Sequence, residues 1–590
     1  MGAIVHEGGV AFRVWAPHAK AVHVKGSFND WSDTAHPLQS EGNGYWVTDV
    51  SQCPVGAEYK YRLDVEGGES LDRIDPYARA VTNSVGSGVV YDPAKFDWQG
   101  DAFEMPPHNR LVIYEMHIGS FLAPAEGAPG TFETAAQKFD HLKRLGINAI
   151  EVMPVAEFAG DYSWGYNPAQ VFAVESAYGG PDAFKQFVRE AHRRGIAVIL
   201  DVVYNHFGPS DLDLWRFDGW HENDKGGIYF YNDHRSATPW GDTRPDYSRG
   251  EVRQFIRDNA LMWLDECHVD GLRMDMTLYV RTIRGEGGDD LPEAWNLLQW
   301  VNTEVRERHP GAILIAEDLR SHPGITQAVA DGGAGFHAQW DANFVHPVRQ
   351  AVIVPEDGQR SMDAVRDAIV FRYNDDAFRR VVYSESHDEV ANGKARVPQE
   401  VAPGDATGWF AQKRSTLAAA LVFTAPGIPM IFQGQEFLQG EYFRDDVPID
   451  WDQSEAFRGI VRMYRDLIRL RLDGGGVARG LCGQFCHVTH VNDAMNMIAF
   501  QRWDQHGPGD DVMVVLNFSA EPREGYQLGL PAAGLWRVRF NSDSSFYSTE
   551  FNNQPCADLT ATEGGYDGLP ATATIAIAPY SVLILSQDPA

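Results

Sequence analysis

Residues from about 8 to 92 alternate apolar and polar side chains in short runs, with Gly, Pro, Asn and Asp between them. Four such runs are Ala11–Trp15, Ala21–Lys25, Gly44–Thr48 and Tyr59–Leu63. A period of two, punctuated by turn residues, predicts a small antiparallel β-sandwich, each strand showing one face to a core and the other to water. A linker rich in Asp, Pro and aromatic residues (Asp92 to Arg110) closes it.

From Leu111 the rhythm changes to near-continuous apolar runs separated by amphipathic stretches. The runs are Leu111–Met116, Ala149–Val155, Ala197–Val203, Gly271–Met274, Ile313–Ala316, Phe336–Trp340, Val381–Ser384 and Pro429–Phe432. Helical patterns fall between them at Thr134–Leu145, Pro181–Arg194, Glu251–Glu266 and Leu291–Arg308. Eight strands buried on both faces and alternating with helices predict an α/β fold, a parallel (β/α)8 TIM barrel. The segment Phe207 to Tyr247 is too long for an ordinary loop and reads as a small insertion beside the active face. After about residue 475 short alternating strands return, at Val512–Asn517, Trp536–Phe540, Thr572–Ile577 and Ser581–Leu585. The expected division is an N-terminal sandwich over 1–95, a barrel over 96–475 with its insertion at 207–247, and a C-terminal all-β sandwich over 476–590.

Composition narrows the ligand. The 590 residues are 44% hydrophobic and 12% aromatic, which excludes disorder and leaves aromatics for a binding surface. The formal charge of −32 repels phosphate backbones and anionic lipids, so neither nucleic acid nor a membrane surface is an expected partner. The longest apolar stretch, Leu417 to Phe432, contains Pro426-Gly427 and Pro429, and reads as a buried helix, a turn and a buried strand. Five scattered cysteines suit a reducing compartment. The start of the chain lacks a secretory signal pattern, so a cytoplasmic protein is expected. Cys482, Cys486 and His487 have no second ligand cluster after them, so no metal is expected there.

In a TIM barrel, side chains at the C-terminal ends of the strands face the reaction site. Four runs end in polar residues: Asp201 with Asn205 and His206, Arg273 with Asp275, Glu317 with Asp318, and His387 with Asp388 and Glu389. Arg273 and Asp275 are two apart and share a face of their strand. So many carboxylates converging on one mouth exceed what a single arginine neutralises, and burying them unpaired costs several kcal/mol, roughly. No nucleophile turn, phosphate loop or zinc spacing accompanies them. Paired carboxylates with aromatics nearby suit glycosidic bond cleavage, one attacking the anomeric carbon and the other protonating the leaving oxygen. The acid's pKa should be raised by the neighbouring charge, while Arg273 should keep Asp275 ionised.

Four segments carry a resemblance: Asp201-Val-Val-Tyr-Asn-His206, Gly271-Leu-Arg-Met-Asp275, Ile315-Ala-Glu317 and Ser386-His-Asp388. They are similar to the four signature regions of the α-amylase family, glycoside hydrolase family 13, in family order. Gly146–Pro154 and Phe432–Glu436 resemble two further family motifs, and Phe12–Pro17 with Gly26–Trp31 resembles a glycogen-binding-like N-terminal domain. The resemblance implies Asp275 as nucleophile, Glu317 as general acid/base and Asp388 as the third carboxylate, holding hydroxyls of a distorted sugar. It implies that His206 and His387 hydrogen-bond that sugar, that Tyr166 stacks on it, that Arg273 orients Asp275, and that Asp201 braces Arg273. The counterpart of Asn205 ligates calcium in many family amylases, but sandwich-bearing relatives commonly lack that site, so no metal or cofactor is expected.

The implied substrate is an α-glucan or maltooligosaccharide, and the implied subgroup is divided. Ser386-His-Asp-Glu-Val390 and Tyr114–Ser120 look like α-1,4-glucan branching enzymes. Asn205–Pro209 and Ala316-Glu-Asp318 look like maltooligosyltrehalose trehalohydrolases, and Met276–Tyr279 departs from the usual branching-enzyme pattern. The leading expectation is transfer to a 6-hydroxyl, with hydrolysis by a trehalohydrolase or α-amylase as the alternative. Trp15 and Trp31 are candidates for a carbohydrate platform, with packing against the barrel the preferred use of the N-terminal domain.

Overall fold

The computed structural model describes residues 1–589. Its centre is a closed ring of eight parallel strands, as the apolar runs predict. They are β1 (Ile113–Met116), β2 (Ala149–Val152), β3 (Ala197–Val202), β4 (Gly271–Met274), β5 (Ile313–Ala316), β6 (Ala338–Trp340), β7 (Arg380–Val382) and β8 (Ile428–Phe432). The ring closes by pairing β8 with β1, Met430 opposite Ile113. Long helices at Gly180–His192, Gly250–Asp265, Pro292–Arg308 and Trp409–Thr424 pack outside it. The stretch Leu417 to Phe432 does divide into helix, turn and strand. Among the described residues no helix is long and apolar enough to cross a membrane.

The barrel lumen shows how a period of two builds a site. Alternate residues of the strands (Ile113, Ala149, Ile199, Ile315, Trp340, Ile428) form one buried cluster, and this apolar plug closes the lower lumen. Two residues further along, the same inward face becomes charged: Glu115 follows Ile113, Glu151 follows Ala149, Asp201 follows Ile199 and Glu317 follows Ile315. All four carboxylates are nearly inaccessible to solvent. Apolar residues below and ionisable ones above give the barrel a rigid floor under a polar mouth.

Two four-stranded sheets make the N-terminal sandwich, one containing Gly9–Trp15 and Tyr45–Ser51, the other Ala21–Gly26 and Glu58–Asp64. It sits on the segment after β3: Trp15 meets Tyr229 edge-on at 5.6 Å, and Arg73 donates to the carbonyls of Phe217 and Arg216. Trp15 is thus buried in packing, while Trp31 keeps 38% of its surface exposed. Phe207 to Tyr247 holds only two short 3₁₀ turns, Gly227–Tyr229 and His234–Ser236. At the C-terminal end, eight antiparallel strands from Phe485–Asn492 to Ser581–Ser586 pair in one unbroken path. That path curls around its own core of Met497, Met513, Leu528, Trp536 and Leu583.

Candidate active site

Arg273 organises the mouth. Its guanidinium is fully buried, lies 4.2 Å over the Trp340 ring, and meets three carboxylates. Nη1 donates to Asp201 Oδ2 at 2.6 Å and to Asp275 Oδ1 at 3.1 Å, while Nη2 is 2.8 Å from Glu317 Oε2. Asn205 Nδ2 donates to the other Asp275 oxygen at 2.6 Å. Both oxygens of Asp275 are therefore held, one by a charge and one by an amide. Met276, next in the chain, has left-handed backbone (φ 42°) and donates its N–H to Glu317 Oε2 at 3.1 Å. A non-glycine residue in that region stores strain. Here it turns the chain so that strand β4 ties itself to the carboxylate ending β5.

The sequence reading has Arg273 hold Asp275 in its charged form, and the structure differs. One guanidinium serves three acids, so burial and the Glu317 charge outweigh it and push the Asp275 carboxyl well above the usual range. Burial also raises Asp201 to about 6, with Arg273 and the Tyr166 hydroxyl pulling the other way. The mouth is a crowded acid cluster around the Arg273 guanidinium.

Tyr166 reaches the cluster from the loop after β2. Gly165 makes the turn: its φ is +94°, and a Cβ there would lie 2.2 Å from the Pro154 carbonyl oxygen. The Tyr166 hydroxyl donates to Asp201 Oδ2 at 2.6 Å, and its ring stacks on His387 with centroids 4.9 Å apart. His387 is buried between Tyr166, Trp164 and Trp340. Its Nδ1 and backbone N–H both engage Glu115. Burial works against its charge, but Glu115 and Asp388 outweigh burial and hold the imidazole at about 9.

Asp388 is the most open member, with 38% of its side chain exposed and its nearest partners Asn392 at 3.4 Å and His387 Nε2 at 3.7 Å. His206 bonds Asn205 Oδ1 through Nδ1 and stacks on Trp240 at 4.7 Å. Its Nε2 is left without a hydrogen-bond partner, and burial drives its pKa down to about 3. All eight residues singled out from the sequence thus lie at this end of the barrel. Asp318, the neighbour of Glu317, turns away and is held by Arg281 at 2.8 and 2.9 Å.

Sequence reasoning missed Glu115, Glu151, Trp340 and the role of Asn205. The two glutamates did carry a signal, since each is an ionisable residue inside an otherwise apolar strand run. Asn205 spends its amide on Asp275 and its carbonyl on His206, and among the described residues no three His, Cys, Asp or Glu side chains are grouped to hold a metal.

The α-amylase catalytic-domain model matches residues 77–216 and 213–456. The chain belongs to the α-amylase family. Flanking matches are carbohydrate-binding module 48, the isoamylase N-terminal domain, over 1–78, and the α-amylase C-terminal all-β domain over 487–588. Among curated relatives, the 1,4-α-glucan branching enzyme GlgB of Leifsonia xyli subsp. xyli is 34% identical across 98% of this chain and 79% of its own. The Corynebacterium jeikeium enzyme of the same name is 32% identical across 98% and 82%. Solved structures share the fold: pullulanase type I from Bacillus subtilis, complexed with maltose, superposes with a TM-score of 0.78 at 23% identity, over 100% of this chain and 85% of that one. An Anoxybacillus pullulanase with maltotetraose reaches 0.76 at 23% identity, over 100% and 87%. In this α-amylase family member, the module-48 match overlaps the sandwich that packs on the segment after β3.

Proposed function

We propose that the protein is a 1,4-α-glucan branching enzyme that cleaves an α-1,4 bond and transfers the released chain to a 6-hydroxyl. The observation that carries the chemistry is Asp275 and Glu317 bridged by one guanidinium. Contact of both carboxyls with Arg273 favours the short separation, roughly 5–5.5 Å, of a retaining pair over the wider gap that leaves room for an inverting water. The names of the full-length relatives support transfer to sugar.

In the first step Asp275 attacks the anomeric carbon while Glu317 gives its proton to the departing glycosidic oxygen. The pair needs one proton in all, placed on Glu317 when the substrate sits between the two. Arg273 and Asn205 hold the Asp275 carboxylate in place for the attack. In the second step Glu317 takes the proton of an acceptor 6-hydroxyl, whose oxygen displaces Asp275 and restores the carboxylate. Asp388, half open to the mouth, and His206, with its free Nε2, are placed to hold hydroxyls of the donor sugar.

Proton NMR of amylose incubated with the enzyme tests this by following α-1,6 anomeric signals and reducing ends together. New α-1,6 signals without matching reducing ends are expected. Reducing ends alone make water the acceptor and the protein a hydrolase. No change in either sends the test to maltooligosyltrehalose, whose cleavage would identify a trehalohydrolase.

A further inference from the structure

Glu115 sits in the middle of β1 between Tyr114 and Met116, 1% exposed, where a carboxylate is costly unless paired. Its whole side chain is spent on one residue. Oε2 accepts the His387 backbone N–H at 3.1 Å, and Oε1 takes His387 Nδ1. This clamp fixes the ring's rotation and assigns the Nδ1 proton, leaving Nε2 on the side of Asp388, 3.7 Å away.

Other charges around the ring do not replace Glu115. Asp388, next in the chain, is partly in solvent. Arg273 on β4 opposes a second cation, and Asp201 on β3 is committed to Arg273 and the Tyr166 hydroxyl, which itself lies 3.5 Å from Nδ1. Glu151 on β2 has no hydrogen-bond partner, and burial pushes its carboxyl well above the usual range. His117, on the loop after β1, is driven down to about 4 by burial. Trp164 and Trp340 supply only ring surface.

We propose that Glu115 is a positioning residue that holds His387 as an imidazolium with Nε2–H presented to the donor sugar, so that loss of this imidazolium sets the alkaline limit wherever the leaving group needs no proton from Glu317, as on α-glucosyl fluoride. The proposal rests on the α-glucan reading of the mouth. With Glu115 in place the imidazolium persists to about pH 9 and is lost above it. With the Glu115 charge gone, burial is the largest remaining influence, opposed by Asp388, and the ring gives up its proton at lower pH.

The test uses the full chain labelled with ¹⁵N-histidine, His387 being assigned by its absence in His387→Asn. Wild-type His387 is expected to titrate above about pH 8 and that of Glu115→Gln below about pH 6.5. The pH profile of kcat/KM is measured in parallel on amylose and on α-glucosyl fluoride. On the fluoride the alkaline limb is expected to fall by at least about two pH units in Glu115→Gln and to stay near the wild-type position in Glu115→Asp. A uniform loss of rate in Glu115→Gln with the limb unmoved would mean a merely structural residue and overturn the proposal. So would a wild-type His387 that titrates near about 6.5, a measurement that does not depend on any Glu115 variant. Inactivity on every glucan would sink the functional reading, while the histidine titration still decides the clamp.

Discussion

Replacing Tyr166 with Phe removes one hydroxyl and leaves the ring on His387. The hydroxyl donates at 2.6 Å to Asp201 Oδ2, the oxygen that also carries Arg273, and Asp201 Oδ1 has no partner that could compensate. A hydrogen bond to a charged acceptor contributes about 1.5–3 kcal/mol, which here favours the ionised acid and equals roughly one to two pH units. Asp201 stands at about 6 with that bond in place. Without it, titration moves to about 7–8. Asp201 is ionised above its pKa and neutral below, and a neutral Asp201 no longer balances Arg273. The acid limb of kcat/KM should therefore rise by one to two pH units, roughly. Near pH 6 the variant should lose activity on the order of 5–50-fold, and near pH 8.5 it should come within a few-fold of wild type. Tyr166 makes no hydrogen bond to Asp275 or Glu317, so the shift between variant and wild type, rather than the position of the limb itself, reports Asp201. The assay is initial rates of amylose cleavage across pH. A loss equal at every pH, or an acid limb that stays put, would refute the role given to this bond.

Asp275→Asn should abolish turnover on all glucans while circular dichroism and the unfolding midpoint stay near wild type; wild-type-like rates would mean that the nucleophile is another residue. Glu317→Gln should lose roughly 10²–10⁴-fold on amylose and markedly less in the first step on α-glucosyl fluoride, whose leaving group needs no proton. Equal losses on both substrates would count against Glu317 as the acid. Arg380→Leu targets the barrel wall. Arg380 is fully buried, donates to Asp341 at 3.0 Å and to the carbonyls of Pro426, Ala368 and Ile369. Stranding the Asp341 charge should cost about 3–5 kcal/mol in urea unfolding. A change under about 1 kcal/mol would show that Asp341 finds another partner or a proton.

The resemblance and the strand-end polar residues carried the family and its motif positions without coordinates. Continuous apolar runs mark strands buried on both sides, and the polar residues that end them mark the mouth, because a (β/α)8 ring turns every strand's C-terminal end toward the same face. What the chain order could not express is how one guanidinium is divided. Asp201, Asp275 and Glu317 come from three strands, and only their closure around Arg273 reveals that its charge is shared and Asp275 is pushed up rather than held down. The same holds for Glu115 and His387, 272 residues apart along the chain, which meet because β1 and β7 both flank β8 in the closed ring. Local pattern determines which residues face inward, since side-chain direction follows from a period of two. Which inward residues share a proton or a counter-ion depends on distances across the lumen, and those exist only once the barrel has closed.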